Sequence, residues 1–191
     1  MTALEMRFVN SAHHSRQVAS ALVSRLQRLP TLVGGGAVHG HLEAIMTRFR
    51  PPRIAMLLVG AAALAEWWLG PFIISKPHPG AGWAVGVMGF LLMVEGWRLF
   101  KRDRVAICPT APTERLVTHG LYRVTRNPMY LGLVLMLAGA AVGVGTAPFY
   151  VATIVYFLIV DRVFCRYEEA KLVARFGSEY AAYTRQVRRW L

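Results

Sequence analysis

Charge is scarce in this chain. Only 17% of its 191 residues are charged, against about a quarter in a soluble globular domain. Acid is scarcer still, with ten Asp and Glu beside 22 Lys and Arg. Cysteine is almost missing: Cys108 and Cys165 are too few and too far apart for a disulfide framework or a thiolate metal site. The nearest approach to a metal cluster, His39, His41 and Glu43, lacks a fourth ligand and a scaffold, so no metal is expected. No internal repeat and no low-complexity run breaks the sequence.

What fills the space is apolar sequence in long blocks. Ile54 to Ile74 carries one charge, Glu66, and Ala81 to Trp97 carries one, Glu95. Met129 to Gly145 and Ala147 to Val160 carry none. A spanning helix needs about 20 apolar residues, and backbone in lipid has no outside hydrogen-bond partner, so these blocks must be helical. The last two are separated only at Thr146, beside Gly145 and Pro148, and read as a tight hairpin. The expected fold is an all-α integral membrane protein of about four transmembrane helices with cytoplasmic C-terminal helices.

The net charge of +12 does not imply nucleic acid, because of where it lies. Arg48, Arg50 and Arg53 precede the first span, and Arg98, Lys101, Arg102 and Arg104 follow the second. A third group, from Arg162 to Arg189, follows the hairpin, while the loop between the first two spans holds only Lys76. This is the positive-inside pattern. It implies a cytoplasmic-membrane protein with both termini inside, whose surroundings are the lipid bilayer.

Residues 1–45 are set apart as a leader, with Val18, Leu22, Leu26 and Leu29 spaced for a short basic amphipathic helix. The membrane domain is assigned to residues 46–191, and Met46 would serve as a start of its own. Within the spans, Glu66 beside Trp67 and Trp68 suits an outer interface, where its carboxylate would reach headgroups. A buried membrane acid can also carry protons, which makes a small proton-coupled transporter using Glu66 the alternative reading. Glu95 and Arg98 are spaced to pair on one helix face.

Two segments are denser in polar groups than a membrane edge requires. One runs from Arg115 through Leu116, Val117, His119, Tyr122, Arg126, Asn127, Pro128 and Met129 to Tyr130. Asn127 and Pro128 suit the first positions of a helix, but His119, Tyr122, Arg126 and Tyr130 have no such role. The other segment contains Glu168 and Glu169, then Phe176, Gly177 and Tyr180. Around a tip at Thr146, residue 124 would face residue 168. Tyr122, Arg126, Asn127 and Glu168 would then meet at the mouth of an apolar bundle. A polar ligand on the water side and a lipid-like one on the other could share such a place.

Leu116 to Gly132, the Glu168–Glu169 pair and the Phe176-Gly177-x-x-Tyr180 ending together resemble the isoprenylcysteine carboxyl methyltransferase and phospholipid methyltransferase superfamily. The resemblance covers roughly residues 114 to 184. It implies S-adenosyl-L-methionine as cofactor and a lipophilic methyl acceptor. It also implies that Arg115, Leu116, Val117, His119, Tyr122, Asn127, Pro128, Met129, Tyr130 and Glu168 bind the cofactor, with Arg126 as a catalytic candidate. Family members acting on prenylcysteine hold the substrate carboxylate with an arginine four residues before the acid. Here that position is Phe164, and Arg162 or Arg166 are the basic residues near enough to substitute.

Overall fold

The computed structural model describes residues 50–105 and 115–191, which fall within one compact unit. The leader, with its expected amphipathic helix and the His39–Glu43 group, lies outside the described residues. Helix α1 spans Pro51–Leu69 and α2 spans Pro79–Arg102. A short 3-10 turn, Gly120–Arg123, leads to α3, Pro128–Val144. Then come α4 (Ala147–Ile159), one π turn (Val160–Cys165), α5 (Arg166–Phe176) and α6 (Ser178–Gln186). Prolines open α1, α2 and α3, where a missing N–H costs nothing.

The protein is an all-α membrane bundle. Helices α1, α2 and the continuous run Ala147–Phe176 are long and apolar enough to cross a bilayer, and α3 is a shorter apolar helix. At 17 residues α3 is about 26 Å long, a little less than the hydrocarbon core. Only 11%, 17% and 28% of the three long apolar windows is buried within the protein. Side chains as large as Trp67, Trp68 and Trp83 point outward. Such apolar surface is stable in lipid and not in water.

Helices α2 and α3 run antiparallel, and their backbones nearly touch. Gly82, Gly89 and Gly96 recur every seven residues on α2, and Gly132 and Gly139 do so on α3. A Cβ added at Gly89 would stand 2.5 Å from the Gly132 carbonyl oxygen. One added at Gly82 would stand 2.5 Å from the Gly139 oxygen. Where lipid removes the hydrophobic drive between helices, small residues that admit close backbone contact hold the pair together. The seam ends where Gly96 packs on Pro128 and Met129, so it delivers the start of α3 to a fixed place.

The hairpin expected at Thr146 is present. Gly145, at φ 81°, ends α3 in the left-handed conformation that glycine tolerates, and Thr146 begins α4. The loop from α1 to α2 closes over this tip. Ile74 N and Ser75 N donate to the Gly145 oxygen, Ala147 N donates to the Phe72 oxygen, and Ile73 and Thr146 form an isolated β-bridge. Glu66 joins the same tip: its Oε2 accepts from the buried Thr146 hydroxyl at 3.2 Å. A buried hydroxyl needs a partner, and Glu66 is the acceptor at hand. Glu95 and Arg98 pair at 3.8 Å on the exposed face of α2.

The second hairpin arm is longer than its apolar block suggests. The helix does not stop near Val160 but runs on through the π turn to Phe176, which puts Glu168 and Glu169 inside a helix. The register shifts accordingly: Tyr130, and not residue 124, meets Glu168. A π turn carries one residue more than an α turn, and such turns often re-aim side chains at functional sites.

Candidate active site

At the end of the bundle away from the hairpin tip, a cavity of about 540 Å³ opens between the elements. The 3-10 turn forms one side. Gly120, at φ 61°, lies where a Cβ would meet Leu99 Cδ1 at 2.8 Å. The turn it starts lays Tyr122 on Phe100, with ring centroids 5.3 Å apart and planes 14° from parallel. Burial, and then the nearby Glu168 charge, hold the Tyr122 phenol well above its ordinary pKa. The Tyr183 hydroxyl, pushed up to about 12 by burial, donates to the Tyr122 carbonyl at 2.7 Å. Both phenols therefore stay protonated at neutral pH.

The acid pair divides its work. Consecutive residues on a helix point about 100° apart, so Glu168 and Glu169 cannot face the same partner. Glu168 lines the cavity, and the Tyr130 hydroxyl donates to its Oε1 at 2.6 Å. Glu169 lies 3.1 Å from Arg126 Nη1, which also donates to the Tyr180 hydroxyl at 3.2 Å. From the other side Arg189 grips both oxygens of Glu169, Nε to Oε1 at 2.9 Å and Nη2 to Oε2 at 2.5 Å. Its Nη1 reaches Asp161 at 3.0 Å, and Trp190 Nε1 donates to the same Asp161 oxygen at 2.9 Å. The hydrogen bonds that Arg189 donates to Glu169, above all, raise the Arg189 pKa beyond its already high value.

Of the residues singled out from the sequence, Arg115, Leu116, Val117, Tyr122, Arg126, Asn127, Met129, Tyr130 and Glu168 line one cavity. Pro128 is fully buried beneath them, against Gly96. His119 is not among the lining residues and stands 3.5 Å from Asp103. Arg162, exposed and bonded to Asp161, and Arg166, also exposed, lie outside the lining. Phe164 is 2% exposed and packs on Tyr130, with centroids 6.3 Å apart. Asn127 occupies the N-cap position but makes no side-chain cap: its Nδ2 donates to the Arg189 carbonyl at 3.2 Å.

Other lining residues carried no sequence signal. Met93, Val94, Trp97, Phe100 and Leu133 make an apolar wall, and Lys171 stands among the polar groups. Arg189 was one basic residue in a basic tail, and only its contacts distinguish it from Arg188. The donor set fits a ligand with a cationic amine and an apolar body. Glu168 supplies a carboxylate, aromatic rings supply flat apolar surface, and Arg126 Nε is a buried donor with no partner among the described residues. A volume of about 540 Å³ suits a molecule of cofactor size.

The fold defines a small membrane bundle with a cavity at one end. The family model for phospholipid methyltransferase matches residues 80–179, just over half the chain, and the chain belongs to that family. Over 63 residues, 33% of this chain, it is 35% identical to an uncharacterised protein of Haemophilus influenzae, whose whole length is covered. Over 76 residues, 38% of this chain, it is 34% identical to a probable protein-S-isoprenylcysteine O-methyltransferase of Oryza sativa subsp. indica. A protein of subsp. japonica with the same description matches equally. The alignment spans 38% of the length of each rice protein. No solved structure matches.

Proposed function

We propose that this protein transfers a methyl group from S-adenosyl-L-methionine to a lipophilic acceptor at the cytoplasmic face of the membrane. The observation that carries the reading is the Tyr130–Glu168 contact inside the cavity. It joins the two polar segments that the family match covers. When bound, the cofactor supplies an electrophilic methyl group on a sulfonium. The chain's task is then alignment and exclusion of water.

Glu168 is the acid for the cofactor's amino group, and the Tyr130 hydroxyl fixes the carboxylate's orientation. A charge-assisted hydrogen bond of this kind is the stronger type. Glu168 sits apart from the sulfonium in this reading, because an anion beside a cation that is losing charge would favour the ground state. Leu116, Val117 and Tyr122 would help to hold the cofactor, and the Met93–Trp97 wall would keep water from the acceptor. Phe164 offers no charge, so the acceptor's head is not gripped at that position. Purified protein given S-adenosylmethionine with a labelled methyl group and a membrane lipid extract should move label into the organic phase. Label that stays wholly aqueous would argue against the proposal.

The arginine distribution supports an orientation with both ends of the described domain inside. In a Cys108→Ser background, where Cys165 is fully buried, a cysteine at position 78 should react with an impermeant maleimide on intact cells. A cysteine at position 110 should react only after permeabilisation. The opposite labelling would reverse the topology.

A further inference from the structure

We propose that Arg189, in the C-terminal tail, is a positioning residue of the cavity: by holding Glu169 it sets Arg126 and the entry to α3. The inference rests on the cofactor site proposed above and adds a tail residue beyond the family match, which ends at 179.

Three observations carry it. Arg189 makes a bidentate grip on Glu169, the geometry that orients a carboxylate as well as attracting it. Glu169 in turn faces Arg126, and Arg126 holds Tyr180, a lining residue. The same tail holds the site through its backbone. The Arg189 carbonyl accepts from Thr125 Oγ1 at 3.0 Å and from Asn127 Nδ2 at 3.2 Å, and the Arg188 carbonyl accepts from Arg126 N at 3.1 Å. Residues 125–127 lead directly into Pro128–Tyr130, so the clasp fixes the residues that present Tyr130 to Glu168. The charges alternate along Asp161, Arg189, Glu169 and Arg126. Both acids of that chain are engaged by arginines, so Glu168 is the lining carboxylate not held by that chain, while Glu169 lines the cavity with its charge already paired.

The side-chain grip and the backbone contacts make different predictions. If Arg189 acts through Glu169, its effect disappears once Glu169 is neutral, because coupled residues are not additive. Affinity for S-adenosylhomocysteine is measured by calorimetry on Arg189→Ala, Arg189→Lys, Glu169→Gln and the double variant Arg189→Ala/Glu169→Gln. Each must elute as a folded monodisperse species. Arg189→Ala should weaken binding by roughly tenfold, the scale of one charge-assisted contact. Arg189→Lys, with the charge but not the fork, should recover part of that loss. The double variant should bind no more weakly than the worse single variant.

Additive losses in the double variant, with no recovery by lysine, would make Arg189 merely structural and overturn the proposal. Arg189→Ala binding as tightly as the parent would overturn it too, while leaving the cofactor site intact. A parent that does not bind S-adenosylhomocysteine at all would remove the cofactor reading and this inference together.

Discussion

Replacing Gly132 with leucine should prevent the bundle from closing. The Cβ alone would stand 2.5 Å from the Gly89 carbonyl oxygen, 2.8 Å from Met93 N and 2.9 Å from Met93 Cβ. Two of these neighbours are backbone atoms, which cannot rotate aside. Overpacking of a tight core costs about 1–3 kcal/mol where side chains can yield, and more where they cannot. A loss above about 3 kcal/mol is expected. Because the seam runs on to Gly96 against Pro128 and Met129, ligand affinity should fall with stability. Gly86→Ala, on the facing helix α2, is the control, since a Cβ there meets nothing within 4 Å among the described residues. It should leave the melting temperature in detergent unchanged or raise it, because alanine forms helix better than glycine. Equal melting temperatures for Gly132→Leu and Gly86→Ala would mean that α2 and α3 are not packed as described.

The parts of this fold that sequence discloses are those decided locally. Helices α1 and α2 follow from runs with a single charge, and the start of α3 follows from Asn127-Pro128. The hairpin follows from Gly145, Thr146 and Pro148. What sequence hides depends on partners far along the chain. Asp161, Arg162, Arg166, Glu168 and Glu169 read as an exit from the membrane, yet the helix continues through them. Asp161 and Glu169 find Arg189, 28 and 20 residues away. The partner of Glu66 was hidden too, because Thr146 is 80 residues distant. Asn127 fitted helix grammar so well that its bond to the tail had no separate trace.

The cavity was legible in the same partial way. The pairing of the Arg126–Tyr130 segment with Glu168 followed from hairpin geometry, though the facing residue is Tyr130. The choice of Glu168 over Glu169 rests on the family resemblance alone, since the pair itself is simply Glu-Glu. Both line the cavity, and helical geometry separates their partners, giving Glu168 to Tyr130 and Glu169 to Arg126 and Arg189.

The second large effect concerns that division. Glu168→Gln keeps the shape and leaves an oxygen to accept the Tyr130 hydroxyl, but it removes the charge. A hydrogen bond to a charged group contributes about 1.5–3 kcal/mol, and 1.4 kcal/mol is tenfold in affinity. Cofactor binding should therefore weaken by roughly one to two orders of magnitude. Tyr130→Phe keeps the charge and loses only the orienting hydroxyl, so its effect should be smaller. Glu66 is bonded to Thr146 at the opposite end and is not a lining residue, so Glu66→Gln should not alter affinity.

Calorimetric titration of S-adenosylmethionine into the parent, Glu168→Gln and Glu66→Gln tests the central claim most directly. All three proteins must first be checked as folded by size exclusion. The expected result is saturable binding by the parent and by Glu66→Gln with equal affinity, and binding weaker by tenfold or more in Glu168→Gln. Undiminished binding by Glu168→Gln, or a loss that follows Glu66 instead, would contradict the assignment of this cavity to a methyl-donor cofactor.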